Sequence, residues 1–333
     1  MSEAMRKISW GILSTAKIGV EKVIPAMQMG EFSTVTAIAS RGVERAQETA
    51  RRLGIPKACG SYEELLADRE IDAIYNPLPN HLHVEWTIKA LHAGKHVLCE
   101  KPIGMNLQET VGLQEEAEKF PQLQVMEAFM YRHHPQWALI KELLQSGAIG
   151  DVKSLHAVFT YYNVDPANIR NQADIGGGGL LDIGCYCISA ARFLFNAEPV
   201  RVCGTLEYDP QMKIDRLASG ILEFQKGTAT FTCSTQSAHQ QSISILGASG
   251  KIEIIKPFTP GAQEACKIIL QTGAALKEYT AQICDQYARQ GDLFSQAILN
   301  ATSAPTPLAD AVANMRVIDG VLASQQQRRW IAI

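Results

Sequence analysis

Two short segments of the sequence carry side chains suited to proton transfer. Lys101 follows an apolar run and Glu100, and it directly precedes a proline. Asp182 and Tyr186 follow a run of four glycines, and their four-residue spacing places both on one face of a helix. A tyrosine can take up or release a proton when a nearby ammonium group favours its ionised form. These three residues therefore predict acid–base chemistry at a hydroxyl group.

A turn of small residues ends the first apolar segment, just before a helical stretch. The three glycine positions of a G-x-G-x-x-G turn fall on Ser14, Ala16 and Gly19. Small side chains there let backbone amides and the helix N-terminus approach a pyrophosphate. Because only the third glycine is present, an ordinary strand-to-helix turn is the alternative. The residues expected to contact the cofactor are Ser14, Thr15, Ala16, Lys17 and Ile18.

The end of the second predicted strand indicates which dinucleotide is bound. An NAD site places a carboxylate on the ribose hydroxyls about 20 residues beyond the turn. This sequence has Ser40 and Arg41 there instead. A hydroxyl and a planar guanidinium suit a 2′-phosphate, so NADP is predicted to be preferred, with NAD possible. A solvated Arg41 at a strand end is the alternative.

The elements around these segments predict an α/β protein with two domains. At roughly 150 residues per domain, 333 residues suffice for two. Residues 1–127 alternate short apolar runs with amphipathic stretches, which predicts a Rossmann dinucleotide-binding domain. Residues 128–333 predict an α+β domain for substrate binding and dimerisation, with a large, mainly antiparallel open sheet. The expected strands are 7–13, 34–39, 73–75, 96–99, 124–127, 155–159, 200–206, 218–224, 229–233, 241–246 and 251–255.

Composition excludes several other classes of protein. The sequence has 31 Lys and Arg against 34 Asp and Glu, so it lacks the positive field that would hold nucleic acid or a membrane surface. It has no signal-like segment and no run of about 18 apolar residues, which predicts a cytoplasmic protein. The eight cysteines lack C-x-x-C spacing and are expected to be reduced. His133 and His134 lack a third ligand, so no metal site is expected.

Three segments together resemble the Gfo/Idh/MocA family of glucose-fructose oxidoreductases, inositol dehydrogenases and rhizopine-catabolism proteins. The resemblance covers nearly the whole chain. It is nearest to the dimeric dihydrodiol dehydrogenase and NADP-dependent D-xylose dehydrogenase type, because many inositol-dehydrogenase relatives carry His where this chain has Tyr186. The segments are residues 74–83, which include Asn76-Pro77-Leu78-Pro79-Asn80-His81, residues 94–102, which end in Glu100-Lys101-Pro102, and residues 176–186.

The resemblance implies an NAD(P)-dependent dehydrogenase acting on a sugar, such as xylose or glucose, or on a cyclic trans-diol. Tyr186 would be the acid/base, Lys101 its partner beside the nicotinamide, and Asp182 an anchor for a substrate hydroxyl. Arg170 would reach cofactor phosphate or substrate, or pair with a surface acid. An uncovered apolar face on the second sheet would pair with a second copy to form a homodimer. The further residues expected at the cofactor are Asn76, Leu78, Pro79, Asn80, His81, Glu100, Lys101 and Arg170.

Two other functions fit the same fold. One is a regulator that senses NAD(P) without turning it over. The other is a sugar oxidoreductase that keeps a tightly bound cofactor and recycles it between two sugars. The presence of Lys101, Asp182 and Tyr186 favours an enzyme over the sensor.

Overall fold

The computed structural model describes residues 6–333, which form two compact units. The first unit contains the described residues up to 130 together with 285–312, and the second contains 131–284 and 313–333. Each unit is built on one sheet, and each sheet has its own core.

A six-stranded parallel sheet forms the first unit. Its strands lie in the order β3-β2-β1-β4-β5-β6, so the order reverses between β1 and β4. An open α/β sheet binds its ligand at such a point, beyond the carboxyl ends of the strands. The strands are Ile8–Leu13 (β1), Ser33–Ala39 (β2), Lys57–Cys59 (β3), Ala73–Asn76 (β4), His96–Cys99 (β5) and Val125–Glu127 (β6), and the helices are Ile24–Gln28 (α1), Val43–Leu53 (α2), Tyr62–Ala67 (α3), His83–His92 (α4) and Leu107–Ala117 (α5).

The strands of this sheet are apolar on both faces, because helices cover both. In β1, Trp10 and Ile12 on one face and Leu13 on the other are fully buried. The predicted Rossmann sheet is confirmed. The short strand β3 was not predicted, since its three residues Lys57–Cys59 carry no apolar run.

A nine-stranded sheet forms the second unit, in the order β14-β13-β12-β11-β7-β10-β9-β8-β15. Only β7 and β10 pair in parallel, so the expected mainly antiparallel sheet is confirmed. The strands are Val152–Tyr162 (β7), Arg201–Tyr208 (β8), Asp215–Phe224 (β9), Gly227–Ser234 (β10), Gln236–Gly247 (β11), Lys251–Ile254 (β12), Lys267–Thr272 (β13), Ala275–Thr280 (β14) and Ile331–Ala332 (β15), and the remaining helices of the chain are Pro135–Gln145 (α6), Cys185–Phe195 (α7), Gln286–Leu299 (α8) and Leu308–Gln327 (α9).

The two faces of the second sheet differ in character. Leu222 and Phe231 are buried on the face that α7 covers. The opposite face carries hydroxyl side chains, such as Ser219 and Thr232, whose oxygens lie 3.0 Å apart. Ile221, beside them, is 37% exposed. An apolar open face was expected, and this expectation is wrong, because small polar residues alternate with the buried ones along β9 and β10.

One helical stretch, Ala173–Phe195, is long and apolar enough by composition to cross a membrane. However, 83% of its most apolar window is buried within the structure, as in the core helix of a globular unit. Among residues 6–333, no group of three or more His, Cys, Asp and Glu side chains could hold a metal ion. All eight cysteines are free thiols.

One segment beyond the predicted domain boundary at residue 127 lies in a different unit from the one expected. Residues 285–312 were assigned to the second domain, but they belong to the first unit. The reason is that α8 packs on the first sheet. Trp10 Nε1 donates to Ser295 Oγ at 3.1 Å, and Asp292 accepts the amide of Glu31 at 2.9 Å. A segment distant in sequence thus completes the first core.

Candidate active site

The turn after β1 has the shape of a phosphate-binding loop. Ser14 adopts φ +82°, which favours glycine, and its hydroxyl accepts the amide of Ala16 at 3.2 Å. Helical structure begins at Lys17, and the first amides of a helix have no partner within it. These amides, next to the small side chain of Ala16, fit the pyrophosphate of a dinucleotide.

Two arginines flank the end of β2. Ser40 is buried, and the exposed Arg41 follows it. Burial raises the pKa of Tyr62, while the nearby charges of Arg41 and Arg45 act in the opposite direction. Both guanidinium groups therefore lie near Tyr62. The sequence analysis missed Arg45, which lies in the first turn of α2, four residues beyond Arg41.

A buried histidine joins the loops that follow β4 and β5. His83 is 1% exposed, and its ring nitrogens lie 2.6 Å from the Leu78 carbonyl oxygen and 2.8 Å from the Pro102 carbonyl oxygen. Burial lowers the pKa of His83 to about 4, although both carbonyls act to raise it. Asn76 supports the first loop, because its side chain accepts the Leu78 amide at 3.3 Å and donates to the His83 carbonyl at 3.1 Å. Asn76 is thus wholly buried and engaged within the protein.

The loop that carries Lys101 is fixed on both sides. The Tyr75 hydroxyl donates to Glu100 Oε1 at 2.6 Å, and the Ile103 amide donates to Glu127 Oε1 at 2.9 Å. The Lys101–Pro102 peptide is cis. The charge of Lys101 is close enough to His83 to add to the lowering of its pKa, after burial. Lys101 therefore stands at the carboxyl edge of the parallel sheet, on a loop with little freedom.

The glycine run in the second unit is required by close packing. A Cβ at Gly177 would lie 2.6 Å from the Gln172 carbonyl oxygen. A Cβ at Gly178, which has φ +122°, would lie 2.0 Å from Asp215 Oδ1. The other oxygen of Asp215 accepts the Leu180 amide at 2.6 Å. Asp215 thus caps a π-helical turn, Leu180–Gly184, that leads into α7.

Asp215 is a buried carboxylate that the sequence analysis missed. Burial raises its pKa to about 7, and the charge of Asp182 acts in the same direction. It lies 37 residues beyond Gly178 in sequence, so only the pairing of β9 in the sheet brings it to the turn. A π-helical turn often occurs at a functional site.

The carboxylate of Asp182, which lies in this π-helical turn, accepts hydrogen bonds from two other side chains. The Tyr161 hydroxyl donates to Asp182 Oδ2 at 2.6 Å, and Arg170 Nε donates to Oδ1 at 3.1 Å. Asp182 is 8% exposed. Arg170 was expected to reach cofactor phosphate or substrate, or to pair with a surface acid. The structure pairs it with the buried Asp182 of the second unit.

Tyr186 lies among aromatic rings at the start of α7. It is 5% exposed, and its ring centroid lies 5.7 Å from Tyr131, 5.6 Å from Phe159 and 5.5 Å from Phe258. These contacts fix the plane of the phenol ring. Asp182 lies within the π-helical turn Leu180–Gly184, and Tyr186 is the second residue of α7, which follows it directly.

The histidine pair near residue 133 has a structural contact. His134 Nδ1 accepts the amide of Gln136 at 3.2 Å and caps α6. Its Nε2 lies 3.8 Å from the sulfur of Cys266. His134 is therefore buried as a helix cap.

Comparisons with known proteins agree with both units. The model described as "Oxidoreductase family, NAD-binding Rossmann fold" matches residues 8–129, and the GFO/IDH/MocA C-terminal domain matches residues 137–253. The chain is 43% identical to an uncharacterized oxidoreductase of Rhizobium meliloti over 98% of this chain and 99% of the relative. It is 38% identical to D-xylose 1-dehydrogenase (NADP(+)) 2 of Haloferax volcanii over 95% and 97%. The chain belongs to the Gfo/Idh/MocA oxidoreductase family.

A solved structure resembles this Gfo/Idh/MocA protein over almost its full length. It is a 3-ketoreductase from Actinomadura kijaniata, in complex with NADP and TDP-benzene. The two share 32% sequence identity and a TM-score of 0.91, over 96% of this chain and 98% of the other. The protein is thus an oxidoreductase with a domain that binds a nicotinamide dinucleotide.

The structure brings together some of the residues predicted for this Gfo/Idh/MocA site within each unit. In the first unit, Leu78 and Pro102 meet through His83. Pro79, Asn80 and His81 follow Leu78, with residues 80–82 in a short helical turn. In the second unit, Asp182 joins Arg170. The positioning residues His83, Glu127, Tyr161 and Asp215 were not predicted.

Proposed function

We propose that this protein is an NADP-dependent dehydrogenase that transfers hydride between the nicotinamide and a hydroxyl-bearing carbon of a sugar or cyclic trans-diol. The observation that carries the proposal is Lys101 on a fixed loop at the carboxyl edge of a parallel sheet, together with the aromatic enclosure of Tyr186. A lysine and a tyrosine are the groups needed to hold and deprotonate a hydroxyl.

The proton follows a simple route in the oxidising direction. Tyr186, as a phenolate, takes the proton from the substrate hydroxyl. The Lys101 ammonium donates a hydrogen bond to the same oxygen and stabilises its developing negative charge. A bound nicotinamide dinucleotide would supply the acceptor for the hydride that leaves the carbon. In the reducing direction Tyr186 returns the proton to the oxygen.

The basic residues at the end of β2 support NADP over NAD. Arg41 and Arg45 both lie near Tyr62, and Ser40 precedes them. A 2′-phosphate would accept charge-assisted hydrogen bonds from such groups. In the phosphate-binding turn, the amides of residues 15–18 would hold the pyrophosphate.

The substrate we propose is an aldose such as xylose or glucose, with trans-diols next. The xylose dehydrogenase among the relatives supports an aldose. A second relative, dTDP-3,4-didehydro-2,6-dideoxy-alpha-D-glucose 3-reductase of Actinomadura kijaniata, supports a sugar ring. We further propose a cytoplasmic homodimer formed through the second sheet. Its open face, with Ile221 among hydroxyl side chains, would provide the surface. A monomeric mass by light scattering would contradict the dimer.

The test is turnover of purified protein with NADP and NAD against aldoses, inositols and trans-diols. Tyr186→Phe and Lys101→Met should each lower kcat steeply while the protein stays folded. Tyr279→Phe on β14 and Lys153→Met on β7 are matched controls on strands and should keep full activity. A wild-type rate for Tyr186→Phe would refute the proposed acid/base.

Two alternatives have distinct outcomes in the same assays. A sensor would bind NADP without turning over any substrate. An enzyme that recycles a tightly bound cofactor would carry nicotinamide through purification and would need a second sugar as acceptor.

A further inference from the structure

Two side chains of strand β7 contact the helical segment that carries Asp182 and Tyr186. Phe159 and Tyr161 lie two residues apart, so they share one face of β7. Phe159 packs on the ring of Tyr186, with centroids 5.6 Å apart, and Tyr161 donates to Asp182 at 2.6 Å. One strand face therefore holds both Asp182 and Tyr186.

The side chain and the backbone carbonyl of Arg170 each form a hydrogen bond with the segment that contains the glycine run and Asp182. Its Nε donates to Asp182 Oδ1 at 3.1 Å. Its carbonyl oxygen accepts the amide of Gly178 at 2.9 Å, and a Cβ at Gly177 would lie 2.7 Å from that oxygen. The glycine run thus leaves room for the backbone of Arg170, which packs directly against Gly177 and Gly178.

The charged and titratable groups around Tyr186 come from several elements. The pKa of Arg170 is raised, first by the charge of Asp182, with Tyr161 and Tyr186 acting in the same direction. Asp215, from β9, adds a second carboxyl close to Asp182. Tyr131 packs on the other side of the Tyr186 ring. Among these groups Arg170 is the cation, and the ionised form of Tyr186 is within its electrostatic reach.

We propose that Arg170 is a positioning residue for proton transfer: its guanidinium stabilises the phenolate form of Tyr186, and Asp182 and Tyr161 hold it there. The proposal rests on the proposed function, because it requires Tyr186 to be the acid/base. Asp182 then acts on Tyr186 through Arg170. Each of its oxygens accepts one hydrogen bond, from Tyr161 and from Arg170, so the carboxylate is held between these two side chains.

The sign of the effect follows from the charges. When Tyr186 takes a proton from the substrate hydroxyl, Arg170 stays protonated and only the tyrosine changes charge. If the guanidinium is removed, the carboxylate of Asp182 stays near Tyr186 without its cationic partner. The phenolate becomes less favourable, so oxidation requires a higher pH. The hydrogen-bonded pair of Arg170 and Asp182 has little net charge, whereas Asp182 alone is a negative charge, and a nearby like charge raises the pKa of an acid.

The experiment is the pH profile of kcat/KM for oxidation in Arg170→Met. We expect the rise of the profile to move upward by at least about one pH unit, with the Kd for NADP unchanged. Arg170→Lys, which keeps the charge, should recover part of the shift, and Tyr161→Phe should give a smaller one. Arg201→Met removes an arginine paired with Glu223 on the outer part of the sheet and should leave the profile unchanged.

Results that contradict the role of Arg170 differ from those that contradict the proposed function. An unmoved profile in folded Arg170→Met, with Tyr186→Phe inactive, would overturn the role of Arg170 and leave the proposed function intact. A loss of NADP affinity with an unmoved profile would make Arg170 a cofactor ligand and also overturn it. If Arg170→Met does not fold, an unmoved profile in folded Tyr161→Phe would overturn the inference. Full activity in Tyr186→Phe would refute the proposed function itself.

Discussion

Replacing His83 with glutamine should change how the stability of the protein depends on pH. The ring of His83 faces two carbonyl oxygens, at 2.6 Å and 2.8 Å. A neutral imidazole can donate to only one of them, whereas an imidazolium can donate to both. Burial opposes the charge and lowers the pKa to about 4 from 6.5. The structure therefore predicts a neutral ring in the folded protein.

The magnitude follows from the linkage between protonation and folding. Because the pKa of His83 is lower in the folded state, the unfolded chain takes up a proton below pH 6.5 that the folded protein does not. The contribution of the neutral His83 ring to the free energy of unfolding is fully present above pH 6.5 and is lost as the pH falls towards 4. The loss amounts to about 3 kcal/mol over the whole window and about 2 kcal/mol at pH 5.

The assay is urea unfolding of wild type and His83→Gln at pH 7.5 and pH 5. Other groups that titrate contribute equally to both proteins, so their effects cancel in the difference. We expect wild type to lose about 2 kcal/mol more than His83→Gln between the two pH values. His239→Gln, at an exposed position on β11, is the matched control and should follow wild type.

One result would refute this reasoning. If acidification stabilised wild type relative to His83→Gln, the buried ring would be an imidazolium donating to both carbonyls. Hydrogen bonding would then outweigh burial at this position.

Two further predictions concern the glycine turn and the cofactor. Gly178→Ala should destabilise the protein by roughly 1–3 kcal/mol or more, because its Cβ would meet Asp215 Oδ1 at 2.0 Å where φ is +122°; thermal melting measures this, and Gly112→Ala in α5, where the methyl meets nothing within 4 Å, should not destabilise. Arg41→Ala should weaken NADP far more than NAD in binding titrations, and equal losses would show that Arg41 does not contact the 2′-phosphate.

Buried apolar runs made most of the two sheets predictable. Strand β5 was predicted at its observed bounds, because Val97, Leu98 and Cys99 form an apolar run that ends at Glu100. The hairpin of β13 and β14 was not predicted. Almost every residue of β14 is exposed, so it has no alternation of apolar and polar residues. An edge strand of this kind is formed by backbone pairing with β13, which sequence periodicity does not show.

In the candidate site, too, some residues could be predicted from the sequence and others could not. Lys101, Asp182 and Tyr186 could be singled out because their residue types and spacing suit proton transfer. The partners of Asp182 could not, since Tyr161 and Arg170 lie 21 and 12 residues away along the chain. The two π-helical turns, Gly19–Val23 and Leu180–Gly184, were predicted as ordinary helix. A single extra residue per turn does not alter the apolar pattern enough to be recognised.

Each unit fixes its reactive loop with a buried polar side chain from another element. His83 bonds the loop of Lys101 from α4, and Asp215 caps the turn before Tyr186 from β9. Neither needs to touch a substrate, yet both determine where the backbone of a reactive residue lies. Substitution of Lys101 or Tyr186 should therefore lower the rate with little loss of stability, whereas substitution of His83 or Asp215 should change both together.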